Sequence, residues 1–371
     1  MEKPQMKQAA LQYIDGIANL LADISLAIHA QPELGGHELN AVKLLTDVLY
    51  KEGFCIERGI GKFPTAFIAR KGSGKVPLAF LAEYDALPVL GHACGHNLIA
   101  AMGLGAALAL AYAAGEFFET VLIGCPAEET FCAKAAMADE GYFDGFRAIL
   151  ITHPGNQNYV GGTSYASHPI RLTFRGRSAH IAGADRGINA LDALLLFFQG
   201  LKTLQSQLSE KTVIGGIITQ GGIAPNIIPE IAEAKFTVRA MNTAYLEQTV
   251  VPMICRIAQG VAQAMDARVE LDHYEPLLRE LRQDEYLTDL YLKNMAELGE
   301  AVYQRKPDEA SGSTDVGNVS YRSPTIQPTI SVGKGLIAHT GEFAAAAGTQ
   351  YAQQRLLIGA KAMAATAIDV L

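Results

Sequence analysis

Three short apolar segments restrict the fold more than any other feature of this 371-residue sequence. Residues 77–82, 120–125 and 148–152 consist mainly of apolar side chains and have the length of single strands. Such continuous runs are typical of strands buried in the sheets of α/β proteins. Each run is followed closely by residues that bind metal or transfer protons. Because open α/β sheets place their sites beyond the carboxyl ends of strands, we expect these residues to meet.

The first of these groups lies in residues 83–102, EYDALPVLGHACGHNLIAAM. His92, Cys94 and His96 occur within five residues there, and Asp85 precedes them. Thiolate and imidazole are preferred zinc ligands, and alternate residues can point the same way, so Cys94 and His96 could bind one ion. The spacing matches no zinc-finger pattern, and a single His or Cys is more often packed in a core. The group therefore needs partners elsewhere in the chain.

The other two groups supply such partners. Glu128 and Glu129 follow residues 120–125, and His153 follows residues 148–152. Two adjacent carboxylates repel each other unless a cation or a proton separates their roles, although a solvated helix start is the alternative explanation. The recurrence of such residues after three apolar runs favours a site.

Composition excludes several classes of protein. The net charge of −8 and the absence of a Lys/Arg cluster argue against nucleic-acid binding, and 49% hydrophobic residues allow a large core. The five cysteines are odd in number and scattered, which favours reduced thiols and a cytoplasmic location. The amino terminus lacks the apolar core of a signal peptide. Residues 98–115 are uncharged over nearly a membrane-spanning length, but we interpret them as a helix buried against a sheet, so no membrane association is expected.

Around these segments the sequence predicts helices over residues 8–28, 39–53 and 133–139, and strands over 55–58 and 65–71. Near the carboxyl terminus it predicts a helix over 281–300 and a strand over 329–332. A glycine loop that contains Gly335 leads to His339, which precedes an Ala-rich helix. The sequence contains no P-loop, dinucleotide-binding fingerprint or serine elbow.

Residues 166–275 follow a different pattern. Strands are predicted over 170–175, 212–219, 233–240 and 267–273, with helices over 187–208 and 244–265. This β-α-β-β-α-β order is the ferredoxin-like arrangement. The segment is therefore interpreted as a domain inserted into a first domain made of residues 1–165 and 276–371. Its notable polar residues, His180, Asn226 and Arg239, are singly more typical of surfaces and turns than of sites.

Eight motifs, taken in order, resemble the M20 peptidases, the dinuclear metallopeptidase family that includes aminoacylases and carboxypeptidase G. They are YDALP, GHACGHN, PAEE, HPG, GRSAH, GGIAPNIIPE, GSTDVGNVS and HTGEF. The chain is most similar to the amidohydrolase branch with aminobenzoyl-glutamate hydrolase subunits and Xaa-dipeptidases. The resemblance implies an α/β fold, in which a mixed-sheet metallopeptidase catalytic domain carries an inserted α+β ferredoxin-like lid or dimerisation domain.

The resemblance also implies roles for individual residues. Two divalent ions, Zn²⁺ or Mn²⁺ with Co²⁺ or Ni²⁺ as alternatives, are expected, and Cys94 is expected to bridge them. The implied metal ligands are Cys94, His96, Glu129, His153 and His339. The implied catalytic residues are Glu128 as the acid–base, Asp85, and His180 acting in the site of a neighbouring subunit. The implied substrate-binding residues are Asn226, Arg239 and Gly335.

These roles predict a metal-dependent hydrolase that cleaves the amide bond of a dipeptide or an N-acyl amino acid. An N-acyl-amino-acid deacylase and an aminobenzoyl-glutamate-type amidohydrolase are the alternatives, and a non-catalytic metal-binding relative is a further one. A histidine that acts between subunits predicts a homodimer or a higher homo-oligomer. Two departures from the family pattern stand out. Glu83 replaces the first histidine of an H-x-D-x-x-P motif, and Asn97 replaces the aspartate that often follows the second histidine in this branch, as it does in the dipeptidase-like members. The change at Asn97 points away from the auxin conjugates that plant members of the branch hydrolyse.

Overall fold

The computed structural model describes residues 2–74 and 76–371. Its chain forms two compact units. The first contains the chain up to Thr163 together with Leu281–Glu309 and Asp315–Leu371, and the second contains Ser164–Glu280 and Ala310–Thr314. The strands are β1 Cys55–Ile60, β2 Phe63–Lys71, β3 Leu78–Glu83, β4 Thr120–Cys125, β5 Ala148–Leu150, β6 His153–Gly155, β7 Tyr159–Thr163, β8 Ala166–Arg175, β9 Thr212–Gln220, β10 Ile231–Ala240, β11 Arg268–Asp272, β12 Tyr303–Ala310, β13 Thr325–Ile326 and β14 Thr329–Ser331. The α-helices are α1 Lys3–Gly16, α2 Ala18–Ala30, α3 Leu39–Lys51, α4 His96–Ala114, α5 Ala133–Asp139, α6 Ala190–Gln205, α7 Thr243–Tyr245, α8 Val251–Ala264, α9 Glu285–Glu297, α10 Val316–Ser320, α11 Gly341–Ala347 and α12 Gln350–Val370.

The first unit is built on a mixed six-stranded sheet with the strand order β1-β2-β4-β3-β5-β13. Strand β3 runs parallel to both β4 and β5, while β2 is antiparallel to β4. Strands β3, β4 and β5 are buried along their whole length, as the three apolar runs predicted. Parallel neighbours bring their carboxyl ends to one edge of the sheet, so the sequence expectation of a common edge is confirmed.

Helix α4 forms the centre of the first unit. It packs against β3, α1, α2 and α12, and of its residues only Tyr112 is exposed. Within the described residues, His96–Phe117 is the one unbroken helix long and apolar enough to cross a membrane, but 89% of its most apolar window is buried. This confirms the interpretation of residues 98–115 as a core helix.

The prediction of one helix over residues 8–28 is wrong at Ile17. The backbone there leaves the helical range (φ −105°, ψ 13°), and α1 and α2 meet at an angle of 56°. Gly16, which ends α1, has low helix propensity and lets the chain turn. The bend allows both helices to bury their own apolar stripe, with Ile14 on α1 and Leu21 on α2 fully buried.

Short strands were also missed by the sequence analysis. A four-stranded sheet with the order β12-β7-β14-β6 contains strands of three to eight residues, and of these only the β14 region was predicted. The helix predicted over residues 281–300 is shorter, because the side chain of Asp284 accepts a hydrogen bond from Leu287 N (2.9 Å) and caps its start.

The second unit has the predicted ferredoxin-like order. Its four strands are antiparallel neighbours in the order β11-β8-β10-β9. Helices α6 and α8 pack together, and buried residues from both helices join the sheet's apolar residues in one core. Strand β10 alternates between buried and half-buried residues, whereas β9 at the sheet edge is largely exposed.

A buried histidine in this second unit generates a prediction about acid stability. Burial, reinforced by the neighbouring His273, lowers the pKa of His168 to about 4. A histidine in an unfolded chain has a pKa of about 6.5. Between about pH 6.5 and about pH 4, His168 therefore binds a proton in the unfolded chain but stays neutral in the folded chain. His168 therefore favours folding at neutral pH and opposes it in that acidic window.

We expect the substitution His168→Gln to reduce the loss of stability between about pH 7.5 and about pH 5, as measured by urea unfolding at both values. His37→Gln is the matched control, because His37 is exposed, and it should keep the loss seen in the unsubstituted protein. An unchanged acid sensitivity in His168→Gln would contradict the assignment.

Candidate metal centre

The carboxyl edge of the β3-β4-β5 layer brings the predicted donors together. Asp85 follows β3, Glu129 follows β4, and His96 is the first residue of α4. His153, which was expected at the end of a strand, instead begins β6, where its partner is Thr329 of β14. His339 comes from the loop before α11, and its backbone N donates to Ala93 O (2.9 Å), which ties that loop to the Cys94 segment.

The five predicted metal ligands form two groups that share the Cys94 thiol. In each group the potential ligand atoms lie within 4.8 Å of one another: Cys94 with His96 and His153, and Cys94 with Glu129 and His339. The Cys94 Sγ lies 3.5 Å from His153 Nε2, and Glu129 Oε1 lies 3.1 Å from His339 Nε2. The two donor sets therefore meet at one sulfur atom.

Backbone geometry makes this close approach possible. Gly95, between Cys94 and His96, has a φ of +77°, which side-chain-bearing residues rarely adopt. A Cβ atom at Gly95 would come within 2.5 Å of Pro154 Cγ and 3.3 Å of the Phe343 ring. The turn between the two ligands can thus be formed only with glycine.

Asp85 fixes the orientation of the His96 ring. Asp85 Oδ1 lies 2.9 Å from His96 Nδ1, and its other oxygen accepts a hydrogen bond from Glu129 N (2.9 Å). Although burial favours the protonated acid, His96 lowers the pKa of Asp85. With Nδ1 held by Asp85, His96 Nε2 faces three carboxyl groups, whose nearest oxygens lie at 3.6 Å (Glu83), 3.9 Å (Glu128) and 4.0 Å (Glu129). A carboxylate behind an imidazole is the arrangement that commonly orients metal-binding histidines.

The donor chemistry fits divalent metal ions. His96 Nε2 is fully buried and has no hydrogen-bond partner, which is costly for a polar atom unless something else binds it. Burial raises the pKa of Cys94 to about 12, so its thiolate needs a neighbouring cation to form at neutral pH. Imidazole nitrogen, thiolate sulfur and carboxylate oxygen are together the ligands of zinc-type ions. The residues present thus fit the pair of divalent ions that the resemblance implies.

Glu128 is adjacent to the ligands but belongs to neither Cys94 group. Its side chain retains 16% exposure, and its nearest oxygen lies 3.9 Å from His96 Nε2. Burial, with further contributions from Asp315 and Glu83, raises the pKa of Glu128 well above its ordinary value. Its side chain is thus partly exposed, and its carboxyl group forms a further group of potential ligand atoms with His96 and Glu129.

A buried ion triad that the sequence analysis missed lies behind these residues. The Lys134 Nζ is fully buried and lies 2.8 Å from Glu83 Oε1 and 2.7 Å from Asp315 Oδ1. Burial opposes the charged form, but Asp315 and Glu83 raise the pKa of Lys134 well above its ordinary value. A single lysine in the otherwise apolar α5 stretch AKAAMA was the available signal.

The remaining predicted site residues lie elsewhere. Gly335, in the first unit, has a φ of +72° in the loop before His339. His180 and Asn226 are exposed neighbours in the second unit, where Ile181 N donates to Asn226 O (3.0 Å), and Arg239 lies in β10. Their catalytic and substrate-binding roles stay predictions.

A family model and curated proteins of known activity match this chain. Residues 166–252 match the family model described as the peptidase dimerisation domain. The Xaa-Arg dipeptidase of Mus musculus is 34% identical over 389 residues, which cover 99% of this chain and 89% of that protein. A p-aminobenzoyl-glutamate hydrolase polypeptide of Escherichia coli strain K12 is 29% identical over 427 residues, with coverages of 94% and 88%.

Solved structures share the fold. A Bacillus subtilis protein described as a dinuclear metal binding peptidase from the M20 family has a TM-score of 0.73 at 22% identity, covering 96% of this chain and 99% of that chain. The aminobenzoyl-glutamate utilization protein from Klebsiella pneumoniae has a TM-score of 0.72 at 20% identity, with coverages of 96% and 97%. The predicted α/β architecture with its ferredoxin-like insertion is thereby confirmed.

The buried triad generates a stability prediction. Lys134→Met leaves Glu83 and Asp315 buried without their cation, and breaking a buried ion pair in this way typically costs about 3–5 kcal/mol. We expect a loss of that size in the free energy of unfolding, measured with urea. Lys293→Met is the control, since Lys293 forms an exposed pair with Glu297 at 3.8 Å, and such pairs contribute about 0–1 kcal/mol. Equal losses in the two variants would contradict the structural role of Lys134.

Proposed function

The chain belongs to the M20 peptidase family of metal-dependent amide hydrolases, and from this premise we propose that it cleaves dipeptides. The observation that carries the proposal is the meeting of two donor sets at the Cys94 sulfur, with Glu128 beside them but outside both Cys94 groups. The 34% identity to the Xaa-Arg dipeptidase over 99% of the chain makes dipeptides with a basic carboxyl-terminal residue the first substrates to test.

We propose that two divalent ions, Zn²⁺ or Mn²⁺, are held by the five donors and that Cys94 is shared between them. The remaining ligands are His96, Glu129, His153 and His339. When bound, such ions polarise a carbonyl group and make water a stronger acid. The support for this assignment is the geometry of the donors and the unpartnered Nε2 of His96.

Glu128 is proposed as the general base and acid. The proposal assigns Glu129, whose Oε1 lies 3.1 Å from His339 Nε2, to the metal ions, and it leaves the partly exposed Glu128 for proton transfer. Glu128 removes a proton from the attacking water as the water oxygen bonds to the scissile carbonyl carbon. It then delivers that proton to the leaving amine nitrogen as the carbon–nitrogen bond breaks. Asp85 contributes by holding the His96 ring through its Nδ1.

Three residues of the second unit are proposed to recognise the substrate. Arg239 offers a planar fork that matches a substrate carboxylate, and Asn226 offers an amide for polar groups. His180 of the partner subunit is proposed to donate a hydrogen bond to the oxygen that gains charge during attack. Gly335 is proposed to provide backbone contact in the loop before His339.

Deacylation of N-acyl amino acids is the second candidate function. It uses the same attack on an amide carbonyl, and the N-acetylcysteine deacetylase of Bacillus subtilis is 26% identical over 299 residues. The similarity to the p-aminobenzoyl-glutamate hydrolase polypeptide supports a third substrate of the same chemical type. A non-catalytic role is disfavoured, because each of the five ligand positions carries a side chain that can bind a metal ion and these side chains lie close together. We further propose a cytoplasmic location, since a ligand thiol at Cys94 has to stay reduced.

A substrate panel with metal removal tests the proposal. The protein is stripped with a chelator, reconstituted separately with Zn²⁺, Mn²⁺ or Co²⁺, and assayed for released amine on Xaa-Arg dipeptides, N-acetyl amino acids and aminobenzoyl-glutamate. We expect activity only after metal is restored, and highest on dipeptides. Glu128→Gln should retain bound metal while turnover falls by several orders of magnitude.

Glu116→Gln is the matched control, because Glu116 is an exposed glutamate with no place in the centre, and it should behave as the unsubstituted protein does. Activity in the stripped protein, or normal turnover in Glu128→Gln, would refute the assignment.

The second unit is proposed to form a homodimer. Strand β9 lies at the edge of its sheet, and it exposes Val213 (47%), Ile217 (64%) and Ile218 (43%). An exposed apolar edge strand is a ready template for pairing with a second chain. The match of residues 166–252 to a peptidase dimerisation domain supports the same conclusion.

Subunit mixing tests both the dimer and the role of His180. Glu128→Gln and His180→Ala proteins, each expected to be weakly active, are mixed under conditions that let subunits exchange. A mixed dimer then contains one site with both Glu128 and the partner's His180, so we expect activity to reappear on mixing. Ile217→Lys, introduced in both proteins to weaken the β9 edge, should suppress that recovery. Absence of recovery despite exchange would mean that His180 does not act between subunits.

A further inference from the structure

We propose that Glu38, which lies outside the ligand set, is a positioning residue that holds the backbone of Ala127 and thereby aims the Glu128 carboxylate. The inference rests on the proposed function, in which Glu128 transfers the proton. It concerns a residue that neither the motifs nor the donor groups single out.

The segment that carries Glu128 begins with an unusual backbone conformation. Ala127 has a φ of +57°, in the left-handed region that residues with a Cβ atom disfavour. Its carbonyl oxygen accepts hydrogen bonds from Phe131 N (3.1 Å) and Cys132 N (2.8 Å), so the turn closes on this one residue. A conformation of this kind persists only where the surroundings enforce it.

Glu38 supplies that enforcement from a distant part of the chain. Its side chain is completely buried, and Oε1 accepts a hydrogen bond from Ala127 N (2.8 Å). Its other oxygen accepts a hydrogen bond from Thr65 Oγ1 (2.7 Å) on β2. A buried carboxylate is costly to desolvate, and an apolar side chain would fill the space without that cost. The hydrogen bond to the backbone amide of Ala127 explains why position 38 carries an acidic side chain.

Two buried carboxylates therefore bracket Glu128. Glu38 holds the amide of the preceding residue, Ala127, and Asp85 holds the amide of the following residue, Glu129, at 2.9 Å. With the backbone fixed on both sides, the Cα–Cβ direction of Glu128 is fixed as well. Asp85 already serves His96, so Glu38 is the member of the pair whose contacts are confined to positioning.

The glycine that precedes Glu38 supports the same interpretation. A Cβ atom at Gly35 would overlap Thr130 Oγ1 and come within 3.0 Å of Ala127 Cα. The segment 35–38 thus lies directly against the turn that carries Glu128, and this contact requires glycine. The turn is held by a neighbouring segment rather than by its own hydrogen bonds alone.

The test uses Glu38→Ala, Glu38→Gln, Ala127→Gly and the double variant Glu38→Ala/Ala127→Gly. For each protein, kcat and KM on the best substrate of the panel, bound metal and melting temperature are measured. We expect Glu38→Ala to lower kcat roughly 10- to 100-fold with little change in KM, since small misplacements of a catalytic group have effects of this size. Glu38→Gln should retain most activity, because its amide oxygen still accepts from Ala127 N.

The decisive comparison is the rescue. Glycine adopts a φ of +57° without strain. Ala127→Gly alone should therefore have little effect on kcat, and the double variant should have a kcat several-fold higher than that of Glu38→Ala. A purely structural role for Glu38 predicts instead that Glu38→Ala lowers the melting temperature but leaves the kcat of the folded, metal-loaded protein unchanged. A glycine at positive φ relieves strain and would then restore stability alone. If Glu38→Ala does not fold, Thr65→Val, which removes one of the two anchors of Glu38, is tested with and without Ala127→Gly and should show a smaller loss with the same recovery.

Normal kcat in Glu38→Ala, or a loss that Ala127→Gly does not reduce, would overturn the inference. Loss of bound metal in Glu38→Ala would also overturn it, because the defect would then lie in the ligands rather than in Glu128. Glu128→Gln separates this inference from the proposed function. If Glu128→Gln is inactive and Glu38→Ala is fully active, only the positioning role fails, whereas an active Glu128→Gln refutes the function itself.

Discussion

Compensation of buried negative charge is the constraint on which the centre depends. Glu83, Asp85, Glu129 and Asp315 carry carboxylates that are buried or nearly so within one edge of the sheet. Burying a carboxylate without a partner is strongly unfavourable. Lys134 compensates Glu83 and Asp315 directly, and Asp85 is held against His96. The carboxylate of Glu129 lies instead against the imidazole of His339, among the donors proposed to hold the metal ions.

Strained backbone accompanies this concentration of charge. Of the non-glycine residues with left-handed φ in the described chain, Val89, Ala127, Cys132 and His339 all lie within five residues of a proposed ligand, and only Asp266 lies in the second unit. Such conformations cost free energy and persist where packing and hydrogen bonds over-determine them. Two of these positions are held by hydrogen bonds from elsewhere in the first unit: Ala127 N donates to Glu38, and His339 N donates to Ala93 O.

The central strands and most of the candidate site could be predicted from local patterns. Short apolar runs predict buried strands, and the polar residues that follow those strands predict where the site lies. His339 carried no such signal and was identified only through the resemblance to a family. Lys134 and Glu38 were missed because a single charged residue in an ordinary helix or loop looks solvated until tertiary structure buries it. The break at Ile17 was missed for a related reason: the apolar spacing continues across it, while the direction of the helix axis is decided by packing.

The residues with proposed roles are divided between the two units. Every proposed metal ligand and the proposed base lie in the first unit, whereas His180, Asn226 and Arg239 lie in the second. In the proposed function, the metal ions depend on residues of the first unit and the polar groups of the substrate depend on residues of the second. Arg239 is half-buried in β10, whereas His180 and Asn226 are exposed outside the strands, and none of the three belongs to the buried triad or to the strained turn at Ala127. On this proposal, relatives named for different amide substrates can align with nearly the whole chain because the residues proposed to activate the amide and those proposed to recognise its substituents are under separate structural constraints.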